Sequence, residues 1–276
     1  MKIKYIIPDN TQLLKISSFF VNLNDDINRN DTVKLVARYI YSEYSNTEID
    51  IICLQGIYDE ILLKLLVSEI INLSNELKVP INIVPKININ NDSKDNSIQL
   101  TWNMSSETDN FQSSNIIVSK YPIITTSKII LNDEMDEKLV GYKHAIIANI
   151  NIEGYLVSIT SLSLSEDYLG ISNSDFRKYE IQQLQKYINQ NSEEIKKINE
   201  IYGLKLIDKN INIICGNFNI PEFKNSKFNP ELMSIFKSLK ALDTFRVINQ
   251  TKKNNIFTNV HNFKDCYILL LLNNMS

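Results

Sequence analysis

Residues 211–222, Ile-Asn-Ile-Ile-Cys-Gly-Asn-Phe-Asn-Ile-Pro-Glu, combine a short apolar run with an abrupt polar end. The apolar run is typical of a buried strand. Gly216 ends the run, and Pro221 has no N–H to give to a neighbouring strand. Asn217 and Asn219 are therefore expected at the carboxyl end of a strand, where α/β folds place the residues that bind ligands or catalyse reactions. The stretch predicts an α/β fold with its functional residues at one end of a sheet.

The rest of the chain alternates between strand and helix periodicity. Strands are predicted at residues 14–22, 49–55, 81–89, 114–122, 128–131, 144–152, 155–162 and 266–272, with another near Phe257. Helices are predicted from about residue 31 to residue 44 and at about residues 59–77, 175–200 and 231–239. Residues 90–109 are polar and are predicted to form a surface loop around a short strand. This order predicts one α/β domain over residues 1–276, with the helices outside the sheets.

Composition limits the class of protein. The net charge of −3 gives no overall positive field, so charge does not support nucleic-acid binding. Cys53, Cys215 and Cys266 each lie in an apolar run, which is typical of buried reduced thiols rather than of a disulfide framework. The sequence has no signal-peptide pattern and no apolar run near the roughly 20 residues of a membrane span. These features favour a cytoplasmic protein without a membrane span.

Seven segments resemble, in sequence order, motifs of the endonuclease/exonuclease/phosphatase superfamily. Gly-Asn-Phe-Asn at residues 216–219 is similar to the family's Gly-Asp-Phe-Asn. The other segments lie at residues 49–59, 114–123, 157–162, 177–184, 242–246 and 265–269. They are similar to the family's Leu-Gln-Glu, Ser-Arg-Tyr-Pro-Ile and Thr-His-Leu segments, to the helix that follows, and to the late Asp-Thr-Phe-Arg and Ile-Asp-Tyr-Ile segments. The resemblance implies a two-sheet, four-layer α/β sandwich of the DNase I type, with helices on its outer faces.

The resemblance also implies a metal-dependent chemistry. Members of the family cut phosphate esters with a divalent metal, which a Glu holds because a hard cation prefers carboxylate oxygen. The Asp of Gly-Asp-Phe-Asn orients the attacking water. Two His residues, one after Thr and one in a final Ser-Asp-His, contact the phosphate, and an Asn of the first strand assists.

The chain departs from the family at these catalytic positions. Gly56 stands where the resemblance places the metal-binding Glu, Asn217 where it places the water-orienting Asp, and Ser161 where it places the first His. Too few residues follow Ile268 for the final Ser-Asp-His, so the chain is shortened at its carboxyl end relative to the family. The positions predicted for catalysis have therefore lost the metal ligand, the acid and both His residues.

A few family positions are retained. These are Asn219, Asp265 and, in the first strand, Asn22, for which Phe20 is the alternative alignment. Four acids near the motif loops could substitute for the lost ones, although solvated loop or helix-cap acids are the simpler interpretation; they are Asp59, Glu60, Glu222 and Asp243.

Other candidate residues carry weaker signals. Neither His144 nor His261 occupies a family His position, and a surface or structural role is expected for His144 because it has no evident metal partner. Trp102 could stack on a base or a partner, or pack within its loop.

Two functional hypotheses follow from the resemblance. The first is a catalytically inactive relative that binds no metal cofactor and acts as a binding or scaffolding protein, with a protein as its partner. The alternative is a Mg²⁺-dependent phosphodiesterase or phosphatase, of nuclease or sphingomyelinase type, that uses the substitute acids.

Overall fold

The computed structural model of the chain describes residues 2–6, 13–21, 29–46, 49–57, 60–78, 80–89, 98–101, 114–132, 143–167, 172–203, 211–220, 230–239, 241–243 and 266–272. Its strands are β1 (Lys2–Ile6), β2 (Leu13–Phe20), β3 (Ile51–Ile57), β4 (Asn82–Val84), β5 (Lys86–Ile89), β6 (Ile98–Thr101), β7 (Ser114–Ser119), β8 (Ile123–Ile130), β9 (His144–Ile152), β10 (Tyr155–Ser163), β11 (Ile211–Asn217), β12 (Ala241–Asp243) and β13 (Cys266–Leu272). Its helices are α1 (Arg29–Asn46), α2 (Glu60–Leu77), α3 (Ser174–Tyr202) and α4 (Pro230–Leu239).

The strands form two large mixed sheets and a small ribbon. The first sheet has the order β1-β2-β3-β7-β4, and the second has the order β12-β13-β11-β10-β9-β8. The ribbon pairs β5 with β6. Each large sheet contains one central parallel pair, β2 with β3 in the first sheet and β10 with β11 in the second. Residues that end these parallel strands therefore meet at the same edge of their sheet.

Alternation along the central strands separates the core into layers. Cys53 of β3 and Cys215 of β11 lie in a core between the two sheets. Leu54, on the opposite face of β3, packs with apolar residues of α1 and α2. Ile214, on the opposite face of β11, packs with apolar residues of α3 and α4. The layers therefore run helix, sheet, sheet, helix, which confirms the predicted two-sheet α/β sandwich with helices on its outer faces.

Several element boundaries differ from those predicted. The single strand expected at residues 81–89 is divided at Pro85, because Pro has no N–H to donate; β4 pairs with β7, whereas β5 pairs with β6. Neither β1 nor β12 was predicted. The strand predicted at residues 128–131 begins five residues earlier, at Ile123 of β8. The strand expected near Phe257 lies outside the described residues, as does Trp102.

None of the helices in the described part of the chain is long and apolar enough to cross a membrane.

Candidate functional site

Four of the predicted site residues lie at the same end of the two sheets. Asn217 ends β11, and Ser161 lies two residues before the end of the neighbouring β10. Gly56 lies near the end of β3 in the opposite sheet, beside Gln55. The Gln55 Nε2 donates a hydrogen bond to Ser161 Oγ at 2.9 Å, which joins the two sheets across 106 residues of sequence. The structure thus places Gly56, Ser161, Asn217 and Asn219 at one end of the sandwich.

Buried polar side chains line this end between the sheets, and we call them the polar floor. The first sheet contributes Ser18, Gln55 and Asn115, and the second contributes His144, Ser161, Ser163 and Asn217. All seven side chains are almost completely buried. Burial of so many polar groups is costly unless each finds a hydrogen-bond partner, so their partners decide what the site can do.

Gly56 has no room for a side chain. Its φ is +83°, in the left-handed region that residues with a Cβ avoid. A Cβ at this position would lie 2.5 Å from Phe20 Cε2 and 2.8 Å from the carbonyl oxygen of Val21. The pairing of β3 with β7 is also irregular between Leu54 and Ile57. The phenyl ring of Phe20 therefore fills the space that a metal-binding side chain at position 56 would need.

The two Asn residues at the end of β11, Asn217 and Asn219, hold the backbone that follows the strand. Asn217 Oδ1 accepts a hydrogen bond from the Asn219 backbone N–H at 3.0 Å. Asn219 has a φ of +51°, which Asn tolerates better than most residues, and its Nδ2 donates to the Leu164 carbonyl at 2.6 Å. The Leu164 N–H in turn donates to the Asn217 carbonyl at 2.9 Å. These bonds tie the end of β11 to the segment that follows β10.

Ser161 belongs to a hydrogen-bonded chain between the sheets. Ser18 Oγ donates to Gln55 Oε1 at 3.1 Å, and Gln55 Nε2 donates to Ser161 Oγ. Ser161 Oγ has a longer contact, 3.4 Å, to the Leu54 carbonyl. Ser161 is fully buried and neutral, so it offers neither the charge nor the proton-transfer capacity of the His that the resemblance places there.

A buried arginine stabilises the segment that follows β10. Arg177 of α3 donates through Nε to Glu231 at 2.6 Å and through Nη1 to Asp167 at 2.7 Å. Its Nη1 also donates to the Ser165 carbonyl at 3.0 Å. Burial alone would lower the pKa of Arg177, but its two acidic partners more than offset this and raise it. The guanidinium group of Arg177 thus holds residues 165–167 against the first turn of α4.

A second buried group, Glu180, lies one turn further along α3. Its carboxylate accepts hydrogen bonds from the Ser165 N–H at 2.9 Å and from Ser165 Oγ at 2.5 Å. Burial raises the pKa of Glu180 to about 7, and the bonds from Ser165 and the charges of Lys143 and Arg177 only partly oppose this rise. Burial also lowers the pKa of Lys143. These charges belong to the outer side of the second sheet, on which α3 packs.

The described residues of the site do not fit a divalent metal. Gly56 provides no side-chain oxygen ligand, and Asn217 Oδ1 already accepts a hydrogen bond from Asn219. Within the described ranges, no three His, Cys, Asp or Glu residues are grouped as a metal site would require. Asn22, Asp265, Asp59 and Glu222 lie outside the described residues, and the side chains of Glu60 and Asp243 are likewise not described.

Sequence analysis did not predict most of the hydrogen-bonded groups at this end. Gln55, Asn115 and Ser163 were not identified, although each is polar on the inward face of its strand: Gln55 follows Cys53, Asn115 precedes Ile117, and Ser163 follows Ile159 and Ser161. That change from apolar to polar on an inward face was the available signal. His144 is 3% exposed, which excludes the surface alternative and fits the structural one.

Comparison with known proteins identifies the fold. No family model and no curated protein sequence matches the chain. A β-hairpin deletion mutant of beta toxin from Staphylococcus aureus matches with a TM-score of 0.58 and 15% identity, covering 94% of this chain and 86% of that chain. Sphingomyelinase C from Streptomyces griseocarneus matches with a TM-score of 0.55 and 14% identity, covering 98% and 84%. D. rerio TDP2 complexed with single strand DNA product matches with a TM-score of 0.55 and 12% identity, covering 95% and 85%. The chain therefore has the endonuclease/exonuclease/phosphatase fold that its motifs predicted.

Proposed function

We propose that this chain, whose fold is that of the endonuclease/exonuclease/phosphatase superfamily, is catalytically degenerate and acts by binding. The observation that carries the proposal is Gly56. The family resemblance places the metal-binding Glu at this position, whereas here the positive φ and the ring of Phe20 exclude any side chain. Without that carboxylate, a hard cation loses the oxygen ligand that would hold it beside a phosphate ester.

The other family positions support the same proposal. Asn217 replaces the acid that orients water; an amide has neither the negative charge nor the basicity of a carboxylate, and its oxygen is bonded to Asn219. Ser161 replaces a His and is bonded to Gln55. Each of the three positions is thus occupied by a neutral group that serves the local packing or hydrogen bonding. A binding or scaffolding role uses the fold without requiring the lost chemistry, and the partner predicted from the sequence is a protein.

The competing function is a Mg²⁺-dependent phosphodiesterase or phosphatase that uses substitute acids. The similar structures include a sphingomyelinase and a protein with a bound DNA product, so sphingomyelin, DNA and RNA are the substrates to test. Each is incubated with the full chain and Mg²⁺ or Mn²⁺, with and without EDTA, while calorimetry measures Mg²⁺ binding. We expect no turnover above buffer and no heat of Mg²⁺ binding.

Matched variants decide between the two functions. Glu60→Gln and Glu222→Gln each remove one of the acids nearest to the motif loops without changing side-chain size. Turnover that EDTA abolishes and that either variant reduces by about tenfold or more would establish the competing function and refute the proposal.

A further inference from the structure

Two cysteines lie side by side in the core between the sheets. Cys53 of β3 and Cys215 of β11 belong to the same cluster of inward-facing residues, and both are reduced and completely buried. Burial raises the pKa of the Cys215 thiol, and the hydrogen bond and charge of the neighbouring Cys53 thiol raise it further. The two residues are far apart in the sequence, so only the packing of one sheet on the other brings their thiols together.

Small side chains let the sheets approach each other closely at this level. Cys215 is the register partner of Ser161 in the pair of β10 and β11. Ser161 Oγ accepts a hydrogen bond from Gln55, which lies two residues after Cys53 on the same face of β3. Cα atoms of β3 lie within 8 Å of Cα atoms of β11, whereas packed sheets are usually about 10 Å apart. Cys53 and Cys215 therefore occupy a narrow part of the sandwich.

This arrangement suits a disulfide bond. Bonded cysteines have Cα atoms about 4.4–6.8 Å apart and side chains that point toward each other. Two inward-facing residues on strands that approach within 8 Å need little backbone movement to reach this range. No further group has to enter the core, because the bond joins two sulfur atoms that are already neighbours.

We propose that Cys53 and Cys215 form a redox-dependent cross-link between the two sheets, which closes when the chain folds in the presence of a small disulfide such as oxidised glutathione. One cysteine thiolate attacks the oxidant and releases one glutathione, and the second thiolate attacks the mixed disulfide and releases the other. The two protein thiols lose two electrons and two protons, which convert the oxidant into two glutathione thiols. The cross-link is independent of the proposed binding function.

Burial determines when the exchange can take place. The thiolate is the reactive form of cysteine, and thiols buried among apolar side chains are inert toward reagents in solution. The exchange therefore occurs while the chain folds or opens, and the closed core then protects the state that has formed. In a reducing solution the same core keeps both thiols free.

Refolding of the full chain tests the proposal. Urea-unfolded protein is refolded in a glutathione redox buffer or in dithiothreitol, the soluble protein is alkylated in denaturant, and mass spectrometry locates the free thiols. We expect a disulfide between Cys53 and Cys215 in the first sample and alkylation of all three cysteines in the second. Because a bond that closes a long loop restricts the unfolded chain, the cross-linked protein should melt at least about 5 °C higher. Folded, reduced protein placed in the same glutathione buffer should oxidise at least about tenfold more slowly than the refolding chain.

Variants assign the bond to its two residues. Cys53→Ala and Cys215→Ala should each abolish both the cross-link and the rise in melting temperature. Cys266→Ala is the matched control, because it removes the third cysteine and leaves the pair in place, so it should retain both effects. If neither variant of the pair folds, as judged by circular dichroism, the mass-spectrometric map of the wild-type protein carries the test.

Four results would overturn the proposal. The first is free Cys53 and Cys215 after refolding in the glutathione buffer, and the second is a disulfide that contains Cys266. The third is a cross-linked protein that melts at or below the temperature of the reduced protein, which would show that the bond distorts the packing of the sheets. The fourth is oxidation of the folded protein at the rate of the refolding chain.

Discussion

Neither Gly56 nor Asn217 carries a charged side chain, but the physical reason differs between the two positions. At Gly56, backbone conformation and the packed ring of Phe20 leave no volume for a ligand side chain. At Asn217, where the resemblance places an Asp, the amide has a shape similar to that of a carboxylate, but its oxygen accepts a hydrogen bond from the backbone N–H two residues later. A carboxylate side chain at position 56 would therefore have to displace the ring of Phe20.

Gly56→Ala should lower the free energy of unfolding more than Gly154→Ala does. Both glycines have positive φ, +83° and +92°, so both substitutions add backbone strain of about 1–3 kcal/mol. Nothing lies within 4 Å of a Cβ at Gly154, whereas at Gly56 the new methyl group would collide with Phe20 and the Val21 carbonyl. We expect an additional loss of about 1–3 kcal/mol at Gly56. Urea denaturation measures both variants, and equal losses would show that Phe20 does not fill this space.

At the scale of elements, α3 fixes the segment that follows β10. Arg177 binds Asp167 and Glu231, and Glu180 binds Ser165. The same segment accepts the side chain of Asn219 at the Leu164 carbonyl. The polar floor is therefore connected to charged groups behind the second sheet through the backbone of residues 164–167. Protonation of Glu180 near neutral pH can therefore change how firmly residues 164–167 are held.

The stability of the protein should carry a pH dependence that Glu180 causes. Its folded-state pKa of about 7 lies above the ordinary value of 4.5. Below pH 4.5 Glu180 is protonated in both the folded and the unfolded state, so its ionisation does not change the free energy of unfolding. As pH rises from 4.5 to 7, only the unfolded state ionises freely, so the folded state loses up to about 3 kcal/mol of relative stability, and the loss levels off above pH 7.

Comparison with Glu180→Gln isolates this effect, because Gln stays neutral throughout. The unfolding free energy of the wild type minus that of Glu180→Gln should fall between pH 4.5 and pH 7.5. Glu200→Gln, at an exposed position of the same helix, is the control and should show no such fall. A wild-type advantage that is constant or increases with pH would mean that Glu180 is not held neutral by burial.

At the scale of the whole molecule, local patterns predicted the fold better than the site. The apolar runs of β3 and β11 are properties of short segments, and they predict the positions of these two strands correctly. The hydrogen bond from Gln55 to Ser161 joins residues 106 positions apart, so no local pattern contains it. The absence of an acidic side chain at positions 56 and 217 was readable from the sequence. The position of the Phe20 ring was not, because it depends on how β2 and β3 end beside each other.

The melting temperature in EDTA and in Mg²⁺ tests most directly whether this fold has lost its metal. A metal present at 100 times its dissociation constant would stabilise the folded state by about 2.7 kcal/mol, which for a chain of this size corresponds to roughly 5–10 °C. We predict the same melting temperature for the wild-type protein in excess EDTA and in millimolar Mg²⁺, because position 56 offers the ion no carboxylate. A melting temperature several degrees lower in EDTA would contradict this prediction and would establish that the protein binds a metal ion.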